Sequence, residues 1–188
     1  MLNPDFNVLG RKDGYATQLL HVLQKIGETK RVKPGTVVVD EGVSTDSFFV
    51  IIDGIFKTVK EIDGQPYIVC FTFPGDIDGD PLVLMTPPNQ YYKIMAVTDS
   101  TLVLFNWNDL QREMGEEVFD KMLNHYLLQY IRFLQTRVVE SLALSAEERY
   151  RSLVKQNAFQ TSKIPLLDLA AYLGITPQSL SRIRANRA

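Results

Sequence analysis

Between residues 29 and 105 the chain cannot run far in one direction. Glycines at 42, 54, 64, 75 and 79 cut it into short runs of β-branched and aromatic residues. Residues 36–39, 47–52 and 55–62 read as strands, and Tyr67, Val69, Phe71 and Phe73 alternate with Ile68, Cys70 and Thr72 at a period of two. Asp63-Gly64 lies between two such runs, a strong short-range signal for a tight hairpin. Many short strands with glycine turns predict an antiparallel sandwich or jelly roll. Leu19, Leu20, Val22, Leu23 and Ile26 give residues 15–26 one apolar face, which predicts a covering helix.

The period then changes. Asn108 suits the N-cap of a short helix ending near Gly115, and Glu116 and Glu117 suit the positive end of a long helix that no proline interrupts. Leu127, Ile131, Leu134 and Val138 step by four, three and four; Phe119, Leu123, Tyr126, Tyr130 and Phe133 form a second seam. A helix with two apolar stripes must bury both. One can cover the strands while the other meets a partner helix in a homodimer, the alternative being a helix buried wholly within one monomer. Ser145 and Glu148 have the spacing of a capping box, opening an amphipathic helix with Tyr150, Leu153 and Val154; residues 157–162 read as a polar break.

The last segment carries the sharpest local pattern. Pro165 suits a first helical turn, Leu166, Leu169, Ala170 and Leu173 one apolar face, and Gly174 a left-handed C-cap. Thr176 suits the next N-cap with Pro177 behind it, and Leu180 and Ile183 the buried face of a second helix. Two short helices about such a turn make a helix-turn-helix, whose second helix enters the major groove of double-stranded DNA. Its outward residues would be Gln178, Ser179, Ser181, Arg182, Arg184 and Arg187. Gln178 and Arg182 suit base edges, since Gln pairs with adenine and Arg with guanine; the others suit phosphate.

Charge agrees with that placement. From residue 155 onward, Lys155, Lys163, Arg182, Arg184 and Arg187 face the single acid Asp168, a local balance of +4 in a chain of net −2. The remainder is therefore about −6. No apolar run approaches the ~20 residues of a membrane span, and residues 1–13 do not read as a signal peptide. The one cysteine, Cys70, allows no disulfide within a chain, so a reducing cytoplasm is the natural compartment; in an alternating strand it reads as a small buried residue. With two histidines, His21 and His125, far apart in sequence, a zinc or iron–sulfur site is not expected, and neither is a cofactor. The strand region holds no histidine, which argues against a jelly-roll metalloenzyme and for a protein that is not an enzyme.

Asp40-Glu41-Gly42, the run Phe48-Phe49-Val50-Ile51-Ile52-Asp53-Gly54, Phe73-Pro74-Gly75-Asp76 and Thr176-Pro177-Gln178-Ser179-Leu180-Ser181-Arg182-Ile183-Arg184 stand in an order that resembles the cyclic AMP receptor protein and fumarate–nitrate reduction regulator (Crp/Fnr) family. The resemblance implies an α+β fold in three parts: an antiparallel β-roll for an effector over 1–115, a dimerisation helix over 116–143, and a helix-turn-helix DNA-binding part over 144–188. RNA polymerase becomes a further candidate partner, while the small-molecule effector stays unidentified. Members that hold a cyclic nucleotide pair Gly-Glu with Arg-Ser or Arg-Thr about ten residues on. Here Gly79-Asp80 and Gln90-Tyr91 occupy those places, and no arginine lies between Lys60 and Arg112. These four are pocket candidates, but a response to cyclic AMP is not expected. The competing reading is a small-molecule sensor that acts through protein contacts.

Overall fold

The computed structural model describes residues 14–40, 47–79 and 92–185. Helix α1 (Gly14–Ile26) precedes eight strands: β1 (Glu28–Val32), β2 (Val37–Val39), β3 (Ser47–Asp53), β4 (Phe56–Ile62), β5 (Gln65–Thr72), β6 (Ile77–Asp78), β7 (Lys93–Ala96) and β8 (Ser100–Asn106). Five helices follow: α2 (Trp107–Met114), α3 (Glu116–Ala143), α4 (Ala146–Lys163), α5 (Leu166–Leu173) and α6 (Pro177–Ala185). Among the described residues, the strands form two antiparallel sheets in the orders β1-β8-β3-β6 and β2-β7-β4-β5. Phe49, Ile51, Phe56, Ile94 and Leu102 fill the space between them, all at 1% exposure or less. On the outer side, α1, α2 with its Trp107, and the first turns of α3 cover Phe48 and Phe105.

Local chemistry explains most of these boundaries. Asp63 and Gly64 both take positive φ, 51° and 74°, the type I′ turn whose twist suits a two-residue hairpin between β4 and β5. Ser145 accepts from Glu148 N–H while the Glu148 side chain accepts from Ser145 N–H, completing the capping box of α4. At Gly79 a Cβ would stand 2.4 Å from the ring of the fully buried Phe48, so this turn admits no side chain.

Three expectations need correction. The N-cap of α2 is Asn106, not Asn108: its side chain accepts from the N–H groups of Asn108 and Asp109. Residues 157–162 are no break; α4 continues to Lys163, with its own Thr161 and the following Ile164 both buried and no glycine or proline intervening. The alternation of β5 is also interrupted. Thr58 pairs with Cys70 while Val59 pairs with Ile68, so Val69 is an extra residue opposite none, a bulge that shifts the strand's facing. Ile68 and Phe71, of opposite parity, thereby join one cluster.

Candidate functional site

Helices α5 and α6 meet at a short turn, and Pro165 is the N-cap of α5 rather than part of its first turn, its ψ of 143° being extended. Gly174 ends α5 in the left-handed conformation (φ 68°, ψ 32°), and Thr176 Oγ1 accepts from Ser179 N–H at 3.2 Å to cap α6. Leu169, Leu173 and Leu180 lie wholly inside with Ala170, whose small side chain lets the helices approach. Gln178, Ser181 and Arg182 are exposed on α6 and Ser179 is half-buried. Arg184 is only half-buried and is already engaged: its Nε donates to Tyr150 Oη at 3.2 Å and its guanidinium lies over that ring. Arg187 falls outside the described residues. Only Ile164 and Pro165 separate α4 from α5, so the pair follows α4 directly, with no strand hairpin between them.

The pair is fixed to the rest of the chain. Arg149, which sequence reasoning passed over, donates to the carbonyls of Leu144 at 2.6 Å and Leu173 at 2.8 Å, tying the end of α3 to the end of α5. Lys57 on β4 pairs with Asp168 on α5 at 2.7 Å with both side chains about four-fifths covered. Tyr172 of α5 packs against Phe71 of β5, ring centroids 5.3 Å apart, while Arg137 of α3 lies 4.1 Å over the Tyr172 ring. One buried cluster thus joins Ile55, Val59, Ile68, Phe71 and Phe73 of the β-roll to the helices from Tyr150 onward.

The long helix divides as its two seams suggest, with a rotation. Phe119, Tyr126 and Phe133 are buried and Leu123 and Tyr130 half-buried. Of the other seam, Ile131 and Val138 are exposed while Leu127 and Leu134 are half-buried. The most exposed apolar side chains of the helix are Leu142, Leu128 and Val139, so the open stripe lies about one residue round from the one the spacing indicated.

A cavity of about 50 Å³ opens between α3 and the β-roll. Cys70, Thr72, Asp76, Asp78 and Gly79 line it from the strands, and Tyr126, Tyr130 and Phe133 from the helix. Of the four pocket residues proposed from sequence, Gly79 lies here; Asp80, Gln90 and Tyr91 fall outside the described residues. Sequence reasoning named Asp76 only as the end of the turn motif Phe73-Pro74-Gly75-Asp76 and did not name Asp78, because an acid next to a glycine reads as a turn residue. Asp78 accepts from Thr72 Oγ1 at 2.6 Å and from Gly79 N–H at 2.9 Å. Lys93 faces away, towards Asp40 (3.7 Å) and Glu61 (3.8 Å).

Burial pushes the Asp76 carboxyl up to about 8; the hydrogen bond from Phe73 N–H opposes the shift and Asp78 adds to it. Cys70 is pushed up to about 12, first by burial and then by Asp78. The folded chain therefore keeps a proton on Asp76 that the unfolded chain gives up near its ordinary value of 3.8. The stabilisation is complete below that value and is lost as pH rises through about 8. Asp76→Asn keeps an acceptor for Phe73 N–H and carries no charge. Urea unfolding at about pH 5, 7 and 9 should show the wild type weakening across the series and the variant flat, so that the variant gains on the wild type as pH rises. A wild-type stability that rises over this range would contradict the assignment.

Residues 29–117 match the family of the cyclic nucleotide-binding domain. No curated protein matches the chain in sequence. Among solved structures, FixK2 from Bradyrhizobium japonicum is similar over 86% of this chain and 84% of its own, with 17% identity and a TM-score of 0.72. CLP, the c-di-GMP responsive global regulator of Xanthomonas campestris, is similar over 90% of each chain, with 12% identity and a TM-score of 0.70. The catabolite activator protein of Thermus thermophilus is similar over 96% of this chain and 85% of its own, with 18% identity and a TM-score of 0.56. Among the described residues, no helix is long and apolar enough to cross a membrane.

Proposed function

Because the chain carries a cyclic nucleotide-binding domain over residues 29–117 on the fold of the Crp/Fnr regulators, we propose that it is a dimeric, sequence-specific DNA-binding transcription regulator. Residues 1–115 would serve as the effector part, 116–143 as the dimerisation helix and 144–188 as the helix-turn-helix part. What supports the reading most is α6: it buries Leu180 completely and turns Gln178, Ser181 and Arg182 to solvent in a stretch of net charge +4 within a chain of net −2.

Gln178 and Arg182 are the base readers in this reading, with Ser179, Ser181, Arg184 and Arg187 on phosphate. Each half of a two-fold dimer would read one half of a near-palindrome, with centres about 34 Å apart. Selection from random DNA should yield such a site, and binding to it should weaken steeply with salt as counterions are released. Arg182→Ala should cost about 1–3 kcal/mol and relax preference at one position of each half-site. Binding that ignores salt, or shows no preference for sequence in competition, would instead favour a sensor acting through protein contacts.

Cyclic AMP is not the effector in this reading. Its phosphate carries a full charge, and burying it needs a cation or a dense set of donors. The described lining of the cavity offers two carboxyls and no cation, and Lys93 is held outward by Asp40 and Glu61. Calorimetric titration with cyclic AMP and cyclic GMP at millimolar concentration should show no saturable heat. One-per-chain binding in the low micromolar range would overturn this.

A further inference from the structure

Helix α4 begins almost where α3 ends, with only Leu144 and Ser145 between them. Ser145 fixes the start of α4 through its capping box, and Arg149 N–H donates to the Ser145 carbonyl at 3.0 Å. The backbone from which the Arg149 side chain reaches out is thus held firmly at the joint.

Its guanidinium meets two carbonyls that their own helices do not serve. The residue four on from Leu144 is Glu148, whose N–H donates to Ser145 Oγ at 3.2 Å. The residue four on from Leu173 is Pro177, which has no N–H. Both carbonyls stand at helix C-terminal ends, where a cation also complements the dipole. Arg149 donates from Nη1 to the first at 2.6 Å and from Nη2 to the second at 2.8 Å. The two nitrogens belong to one rigid plane, so the bonds fix an angle between the helix ends as well as a distance. The next residue, Tyr150, holds α6 in turn, accepting from Arg184 Nε. Arg137 of α3 also reaches α5, but over the face of the Tyr172 ring, a contact without directional bonds. Lys57 and Phe71 hold the Asp168 and Tyr172 side of α5 to the β-roll, whereas Arg149 holds its end, where the turn to α6 begins.

A dimer that reads two half-sites about 34 Å apart is sensitive to that angle. One added base pair moves a half-site by about 3.4 Å and turns it by roughly 35° about the DNA axis. Recognition helices on stiff arms cannot follow such a change, and the gain from engaging the second half-site is then lost. Resting on the regulator reading above, we propose that Arg149 is a positioning residue that sets the half-site spacing the dimer accepts, by bracing the end of α5 against the end of α3.

The test uses the full chain and operators built from the selected half-site, with the two halves at the preferred spacing and at one base pair more or less, beside a single half-site at low salt. Fluorescence anisotropy gives the affinities and sedimentation the oligomeric state. The wild type should favour one spacing by at least about tenfold over its neighbours. Arg149→Met keeps an apolar stem and loses both donors. It should remain a dimer and bind the single half-site within about twofold of wild type, while its preference among the three spacings falls to about threefold or less. Arg149→Lys keeps the charge without the planar fork and should lie between the two. If the Met variant does not fold, the Lys variant decides by the same profile. A spacing preference left unchanged in the folded variant, a flat profile in the wild type, or an equal loss on the single half-site and the full operator would each overturn the proposal. A wild-type chain that selects no site from random DNA overturns the regulator reading, and the role of Arg149 falls with it. A chain that selects a site and keeps one spacing preference in every variant overturns the role of Arg149 alone.

Discussion

With Ile131 and Val138 both replaced by glutamate, the chain is expected to fold normally, sediment as a monomer and lose at least about a hundredfold in affinity for a two-half-site operator. The two side chains are 50% and 57% exposed, so neither supports the fold of one chain. With Leu128, Val139 and Leu142 they form an open apolar stripe on a helix of 28 residues. A second copy of this helix is the occupant that the stripe suits, since seams of this kind pair in coiled coils. Glutamates there would place like charges against each other in a dry seam, where each has no partner. The operator effect follows from linkage: one recognition helix engages only a half-site, and the second gains its effective concentration from the first. Sedimentation velocity at micromolar concentration measures the first effect and fluorescence anisotropy the second. A wild-type chain that is already monomeric, or a double variant that stays dimeric, would remove α3 as the dimer seam.

How far such features can be read from sequence depends on how far their causes extend. The Asp63-Gly64 turn, the Ser145–Glu148 box and the Gly174–Thr176 turn each arise from a residue and its neighbours within a few positions, and each is legible. Gln178 and Arg182 are legible for the same reason: once Leu180 is set inward, helical spacing carries them outward. The bulge at Val69 is not legible, because it is defined by which residue of β4 pairs with which residue of β5. Nor is the continuation of α4 through a polar stretch, which rests on Thr161 and Ile164 meeting other elements. The Lys57–Asp168 pair lies 111 residues apart in sequence, and Arg149 reaches a carbonyl 24 residues away. The acidic cavity belongs to this second kind. Asp76 and Asp78 come to line a cavity only because Tyr126, Tyr130 and Phe133 stand across from them, and no local pattern in 76–79 announces a helix 50 residues on.

The largest expected loss of stability comes from Tyr172→Ala. Tyr172 is 7% exposed and belongs to a helix of only eight residues, too short to hold itself together. Its ring lies between Phe71 of β5 and the guanidinium of Arg137, so removing it opens a cavity where α5, β5 and α3 meet. Aromatic-to-alanine changes in such places cost about 3–5 kcal/mol. Tyr172→Phe keeps the ring and the contact with Phe71 and should cost about 1 kcal/mol or less. Where the loss falls can be read separately. Trp107, the only tryptophan, packs with Phe48 and Phe119 away from α5 and reports on the β-roll and the start of α3, whereas far-ultraviolet circular dichroism is dominated by the helices. In the wild type the cluster from Ile55 to Leu180 should make the two signals change together in urea. In Tyr172→Ala the dichroism should fall first, with tryptophan fluorescence following at higher urea. If the two curves remain coincident and shift by less than about 1 kcal/mol, Tyr172 does not fasten the terminal helices to the β-roll.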